Sequence, residues 1–174
     1  MTSHHGNSGT AQQAVRRMHH RVQSAGDNIT AWRIATVVAR LALAASFLSA
    51  VSDRLGLWGE PGTNSVAWGT FDNFVTASHD LMPYLSGGTL RAAAAAATAA
   101  ELGLGVALLL GVALRWTAWL TTALLLVFGL SMAVFVDPQA PLIYSVFSAL
   151  AAAALLALAP RDALVYTVKA FDRA

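Results

Sequence analysis

The sequence predicts an all-α integral membrane protein: a four-helix bundle with an amphipathic helix in its long outer loop. Two observations predict the membrane class. Hydrophobic residues make up 56% of the chain and charged residues only 11%, where a soluble domain carries about 25% charged. Four apolar runs, over 34–51, 92–114, 116–136 and 142–159, approach or exceed the roughly 20 residues needed to cross a hydrocarbon core about 30 Å thick. The third observation concerns topology. With the N-terminus inside, the inner face holds Arg16, Arg17, Arg21, Arg33, Arg115, Arg161, Lys169 and Arg173, while the outer face holds only Arg54 and Arg91. This asymmetry predicts that both termini are cytoplasmic. The net charge of +2 therefore reports topology, and no nucleic-acid partner is expected.

Residues 1–30 are rich in Ser, Gly, Gln, Asn, His and Arg and read as a mostly disordered basic cytoplasmic tail, with a short helix near 11–22 at most. The run over 34–51 is not a cleavable signal. It follows a polar tail, contains Arg40, and ends in Ser52-Asp53-Arg54 without a small-x-small pattern.

The outer loop, 53–89, opens with Gly56, Gly59, Pro61 and Gly62, a turn region. Asn64-Ser65 then offers a helix cap, and Phe71, Phe74, Val75, Ser78, Met82 and Leu85 recur at helical spacing. An amphipathic helix over 64–85 is expected at the interface or over the bundle mouth, with Trp58, Trp68 and Tyr84 as anchors.

The run over 92–114 is to be the central helix. Ala95, Ala99, Gly103, Ala107 and Gly111 form one small ridge, and Ala94, Thr98, Glu101 and Gly105 a second face. Small residues let helix backbones approach closely in lipid, so protein is expected on both faces. A hairpin near Arg115-Trp116 leads to the third span, Asp137-Pro138 and Pro141 break the chain before the fourth, and Pro160 stops it. Residues 161–174 form a cytoplasmic tail.

Two ionisable residues lie inside the spans, Arg40 in the first and Glu101 in the second. A carboxylate at such a depth costs at least about 2.5 kcal/mol on insertion scales, so it must face protein and find a partner. Arg40 is the expected partner. The pair is either a polar pocket for a quinone-type head group, a proton relay, or a structural bond fixing helix register. Asp53, Arg54, His79 and Asp80, with Trp58 and Trp68, form a second cluster that caps the pocket if the loop helix folds over the mouth. Tyr144 and Ser145 begin the last span at the same mouth, as hydrogen-bond donors to a bound carbonyl or as interfacial anchors.

The chain has no cysteine, which excludes disulfides, thiol catalysis, iron–sulfur clusters and covalent c-type haem. Four of its five histidines, His4, His5, His19 and His20, lie in the tail and none lies in a span. Neither haem nor a metal ion is expected in this chain, and His79 reads as part of a solvated face.

The segments RLALAASFLSAVSDRLGLWG (40–59), VAWGTFDNF (66–74), Glu101 followed by LGLGVALLLGVALRWTAWL (102–120), and APLIYSVFSALAAAALLAL (140–158) resemble the DoxX/DoxD-like family. These are small four-helix proteins of the bacterial plasma membrane. The resemblance implies a quinone-linked subunit of a membrane oxidoreductase, which passes electrons from a partner subunit to the quinone pool, with quinone as substrate. It implies Arg40, Asp53, Arg54, Trp58 and Glu101 as quinone-site residues. Without cysteine or a cofactor motif, the chain is not expected to be active alone. The alternative is a non-catalytic subunit that assembles or anchors a larger membrane enzyme, its partners being the lipid bilayer and other membrane subunits.

Overall fold

The structure, a computed structural model, describes residues 8–63 and 65–164, the side chains of 8–25 and of Asp27 excepted. Every regular element in this range is helical: α1 (Ser8–Arg54), α2 (Phe71–Leu81), α3 (Gly87–Leu110), α4 (Leu114–Ser131), a π-turn (Met132–Val136), α5 (Ala140–Ile143), α6 (Val146–Leu158) and a 3₁₀ turn (Arg161–Ala163). Three stretches are long and apolar enough to cross a membrane: Asn28–Arg54, Gly87–Leu110 and Leu114–Val136. This is a membrane protein.

The helices pack as two antiparallel pairs, α1 against α3 and α4 against α6. Leu43, Ala44 and Phe47 of α1 meet Leu108, Ala118, Leu125, Ala153 and Leu156 in one core. Gly105 sets how closely α1 and α3 approach. A Cβ built there would lie 3.1 Å from the Leu48 side chain, nearer than ordinary van der Waals contact.

Four expectations from sequence change. Backbone from Ser8 onward is helical, so α1 runs through most of the segment that composition marks as a disordered tail. The second run ends earlier than its apolar character suggests. Gly111 takes a left-handed conformation (φ +71°), and its N–H and that of Val112 close the end of α3 on Leu108 and Ala107 carbonyls. The hairpin therefore lies at Gly111–Ala113 rather than at Arg115-Trp116. The run over 142–159 is broken at Ser145, which sits at φ +56° between α5 and α6. The remaining 13-residue helix spans about 20 Å at 1.5 Å per residue, short of a hydrocarbon core.

The fourth concerns α3. Its buried residues are Leu90, Ala94, Glu101, Gly105 and Leu108, which is the second of the two small faces. The longer ridge is exposed at Ala95, Ala99 and Gly103, half-buried at Ala107 and buried at Gly111. Protein covers this ridge only near the hairpin end of α3.

In the outer loop, α2 begins at Phe71, capped by the Thr70 hydroxyl, which accepts from the Asn73 N–H at 3.2 Å. Asn64, half of the expected cap, lies outside the described residues. The stretch before α2 folds into turns because Asp53 takes its N–H groups, as described next. Beyond Leu164 the C-terminal tail likewise lies outside the described residues.

Candidate functional site

The site is built where α1 ends against the middle of α3. Arg54 is the last residue of α1 and is 4% exposed, and Glu101 is 2% exposed. Arg54 Nη2 donates to Glu101 Oε1 at 2.9 Å, and Nη1 donates to Thr98 Oγ1 at 3.0 Å. Thr98 is one turn before Glu101, so a single guanidinium reads both from its fork. The Thr98 hydroxyl passes its own proton to the Ala94 carbonyl at 2.9 Å. That leaves Arg54 Nε, which is buried and has no hydrogen-bond partner among the described residues.

Above the guanidinium lies an aromatic roof. The Phe74 ring centroid is 3.7 Å from Arg54 Cζ and the Trp68 centroid 5.2 Å, and the two rings meet edge to face at 76°. Ring faces attract a desolvated cation, so α2 adds attraction as well as cover. Phe74 and Ser78 are the buried residues of α2.

Asp53 holds this roof in place. Its carboxylate is 6% exposed and accepts from the N–H groups of Ala67 (2.9 Å), Gly69 (2.9 Å) and Trp68 (3.4 Å). Three successive backbone donors around one carboxylate fold the loop back onto the end of α1. The turn that allows this needs Gly69 at φ +65°, with Pro61 packed against it so closely that a Cβ would lie 2.6 Å from Pro61 Cδ. Thus Asp53 positions Trp68, and Arg54 takes the charge.

Depth follows from helix geometry. Glu101 lies about 14 Å from the Leu110 end of α3 and about 21 Å from its Gly87 end at 1.5 Å per residue. Glu101 thus lies well inside a membrane-spanning helix, and Arg54, although it is the last residue of α1, reaches it there. At the loop end, the exposed pair Arg91–Asp72 (2.6 Å) lies about 15 Å along α3 from Glu101.

The expected partner of Glu101 is corrected here. Arg40 and Arg54 stand on one continuous helix about 21 Å apart, and α1 runs antiparallel to α3. Glu101 therefore meets the loop end of α1, where Arg54 is, and Arg40 is buried near the hairpin end instead. The sequence placed Arg54 on the outer surface because it follows the last apolar residue of the run. The signal for its burial was the Asp-Arg pair itself, followed by glycines that fold the loop over it.

The other expected residues divide. Trp68 is in the roof. Trp58 is 56% exposed, with its indole N–H donating to the Ser49 carbonyl at 3.1 Å, and does not reach Arg54. His79 and Asp80 are exposed and line an open depression with Trp68, Asn73, Thr76 and Leu90, a lining that does not include Arg54 or Glu101. Tyr144 is 73% exposed at the α5–α6 break, and Ser145 is exposed beside it. Phe74 and Thr98 were not singled out as site residues, although Phe74 belongs to the helical pattern and Thr98 sits one turn from Glu101. No group of three metal-ligating side chains comes together among the described residues.

Comparison with protein-family models, with curated proteins and with solved structures finds no match.

Proposed function

We propose that this chain is a quinone-linked subunit of a bacterial plasma-membrane oxidoreductase, taking electrons from a partner subunit and delivering them to quinone at Arg54 and Glu101. The observation that carries this reading is a buried charge pair at the middle of α3, roofed by aromatic rings, with one buried arginine N–H left without an acceptor among the described residues. Intramembrane ionisable pairs mark substrate or proton pathways. A quinone carbonyl supplies the acceptor that Arg54 Nε lacks, and its ring packs against the Phe74 and Trp68 rings. Reduction to the quinol takes two electrons from the partner and two protons from water. Glu101, a carboxylate while paired with Arg54, takes up one proton and hands it to one quinone oxygen, and the other reaches the second oxygen from water when α2 lifts. The resemblance of 40–158 to DoxX/DoxD-like proteins supports the same reading.

Because both charges are almost fully covered, a head group enters only when α2 lifts. The turns over 55–63 and 65–70 serve as its hinge. In this reading both termini are cytoplasmic, α5 and α6 complete a fourth, kinked crossing, and α2 lies at the outer interface. Asp53 is a positioning residue, and Arg40, Trp58, Tyr144, His79 and Asp80 are outside the head-group contact.

Gentle solubilisation followed by mass spectrometry, for both quinone and associated subunits, tests this. Recovery of a redox-active partner together with quinone is the expected result. Recovery of neither overturns it.

One observation favours a second reading, a non-catalytic anchoring subunit. Ala95, Ala99 and Gly103 lie exposed along α3, and a Cβ at Gly103 would meet nothing within 4 Å. Small-residue faces of this kind pack against other membrane helices. A partner enzyme whose turnover survives Glu101→Gln but whose abundance falls without this chain would favour the anchor.

A further inference from the structure

A second concentration of charge lies at the opposite end of the bundle from Glu101, around the turn that follows α6. Arg33 of α1 donates from Nε to the Asp162 carbonyl at 3.2 Å. Arg115, in the first turn of α4, donates from Nη2 to the Ala159 carbonyl at 3.1 Å. These two carbonyls are three residues apart, at most about 11 Å of chain, and Arg161 stands between them in sequence on the 3₁₀ turn. Two guanidinium groups therefore meet one short turn, and that turn carries a third arginine, exposed at its start.

The turn is held firmly in place. The Thr36 hydroxyl, one turn along α1 from Arg33, lies 3.0 Å from the carbonyls of both Arg33 and Ala163, and Ala163 is buried. Among the described residues these arginines have no acidic partner. The two ion pairs among the described residues are Arg54–Glu101 and Arg91–Asp72, so Arg33, Arg115 and Arg161 take part in none. Arg33 spends one nitrogen on a carbonyl and keeps both Nη groups. Arg115 also spends one, and its Nε is buried with no hydrogen-bond partner among the described residues.

Uncommitted guanidinium forks of this kind match a phosphate, which offers several oxygens to paired N–H donors. The setting matches the polar boundary of a bilayer. Trp32 adjoins Arg33 in the chain and Trp116 adjoins Arg115, and they are 37% and 64% exposed, as tryptophans at the head-group level are. Basic pockets between membrane helices at such a boundary hold anionic lipid head groups.

We propose that Arg33, Arg115 and Arg161 form a phosphate-binding cradle at the α3–α4 hairpin end, clasping α1, α4 and the turn after α6 through one bound anion. The phosphate comes from an anionic glycerophospholipid or from a soluble phosphate; the chemistry of recognition is shared. Binding adds a further tie between the two helix pairs, at the end where the α3–α4 hairpin and the 3₁₀ turn already join them. It is independent of the quinone reading, since this site lies about 14 Å or more from Glu101 along α3.

The test is thermal unfolding of the full chain in neutral detergent, read by tryptophan fluorescence, with three additives: dioleoyl phosphatidylglycerol, dioleoyl phosphatidylcholine and inorganic phosphate. Near-saturating phosphatidylglycerol is expected to raise the midpoint by about 5–10 °C, with little response to phosphatidylcholine. The triple variant Arg33→Gln, Arg115→Gln, Arg161→Gln is expected to lose the shift. An equal shift with inorganic phosphate alone keeps the cradle and assigns it to a soluble ligand. Equal responses to both lipids, no response to any additive, or an undiminished shift in the triple variant overturns the proposal. Should the variant fail to fold, native mass spectrometry of the unaltered chain from micelles holding equal amounts of the two lipids decides. Retained phosphatidylglycerol in several-fold excess, or retained phosphate, supports the cradle; equal retention of the lipids without phosphate refutes it.

Discussion

Arg54 Nη2 and Glu101 Oε1 meet at 2.9 Å, joining the final residue of α1 to the middle of α3. Neither charge has water to fall back on. Replacing Glu101 with alanine strands a buried guanidinium, and breaking a buried pair from one side costs about 3–5 kcal/mol. The double change Arg54→Leu with Glu101→Leu is expected to recover most of the thermal stability lost by either single change. Denaturation midpoints of the four proteins in one detergent give the coupling. Additive losses would mean that the two residues do not interact.

Asp53 works on the backbone rather than on charge. It accepts from Ala67, Trp68 and Gly69, and hydrogen bonds to a charged group contribute about 1.5–3 kcal/mol each at most. Asp53→Ala is expected to destabilise by about 3 kcal/mol in total and to expose 55–70 to protease while α3 and α4 stay protected. Hydrogen exchange localised to Ala67, Trp68 and Gly69 amides checks this. Exchange rising equally throughout the bundle would count against a local role.

Two glycines offer a paired comparison. At Gly69 the left-handed backbone and the 2.6 Å approach to Pro61 Cδ both penalise a side chain, so Gly69→Ala is expected to cost about 1–3 kcal/mol. At Gly103 a Cβ meets open space, and Gly103→Ala in the isolated chain should stay within about 0.5 kcal/mol of the parent. If Gly103→Ala instead weakens a purified complex, the exposed face of α3 is covered by a partner helix there.

Much of this arrangement is legible in the sequence, and the exceptions share a cause. The membrane class, the helical content and the isolation of Glu101 follow from composition and run length. Asp53, Arg54 and Trp68 stand out as polar or aromatic residues at the edge of a span. Hydropathy, however, locates a residue along the chain and not in depth. Arg54 follows the last apolar residue of its run and so reads as surface, whereas the loop after it turns back and covers it. Arg40 lies inside the run and so reads as deep, whereas α1 continues past the end of the other helices and leaves it near the hairpin. The Ala95–Ala99–Gly103 ridge misleads for a related reason: a small face permits close packing but does not supply the neighbour.

Thr121 tests the packing of the other helix pair. Its side chain is fully buried on α4 and its hydroxyl has no hydrogen-bond partner among the described residues. An unsatisfied buried hydroxyl costs about 1–3 kcal/mol. Thr121→Val keeps the shape and removes that cost, so it is expected to raise stability by about 1 kcal/mol. A lower unfolding midpoint would show that the hydroxyl has a partner in the assembled state.

The claim on which the functional account rests is that a quinone head group reaches Arg54 and Glu101 beneath α2. Photolabelling the detergent-solubilised protein with an azido-quinone, followed by peptide mapping, tests this most directly. Labels on Trp68, Phe74 or Thr98–Glu101 that disappear under excess unlabelled quinone are the predicted result. Labels confined to other helices, or labels at those residues that excess quinone does not displace, would contradict it.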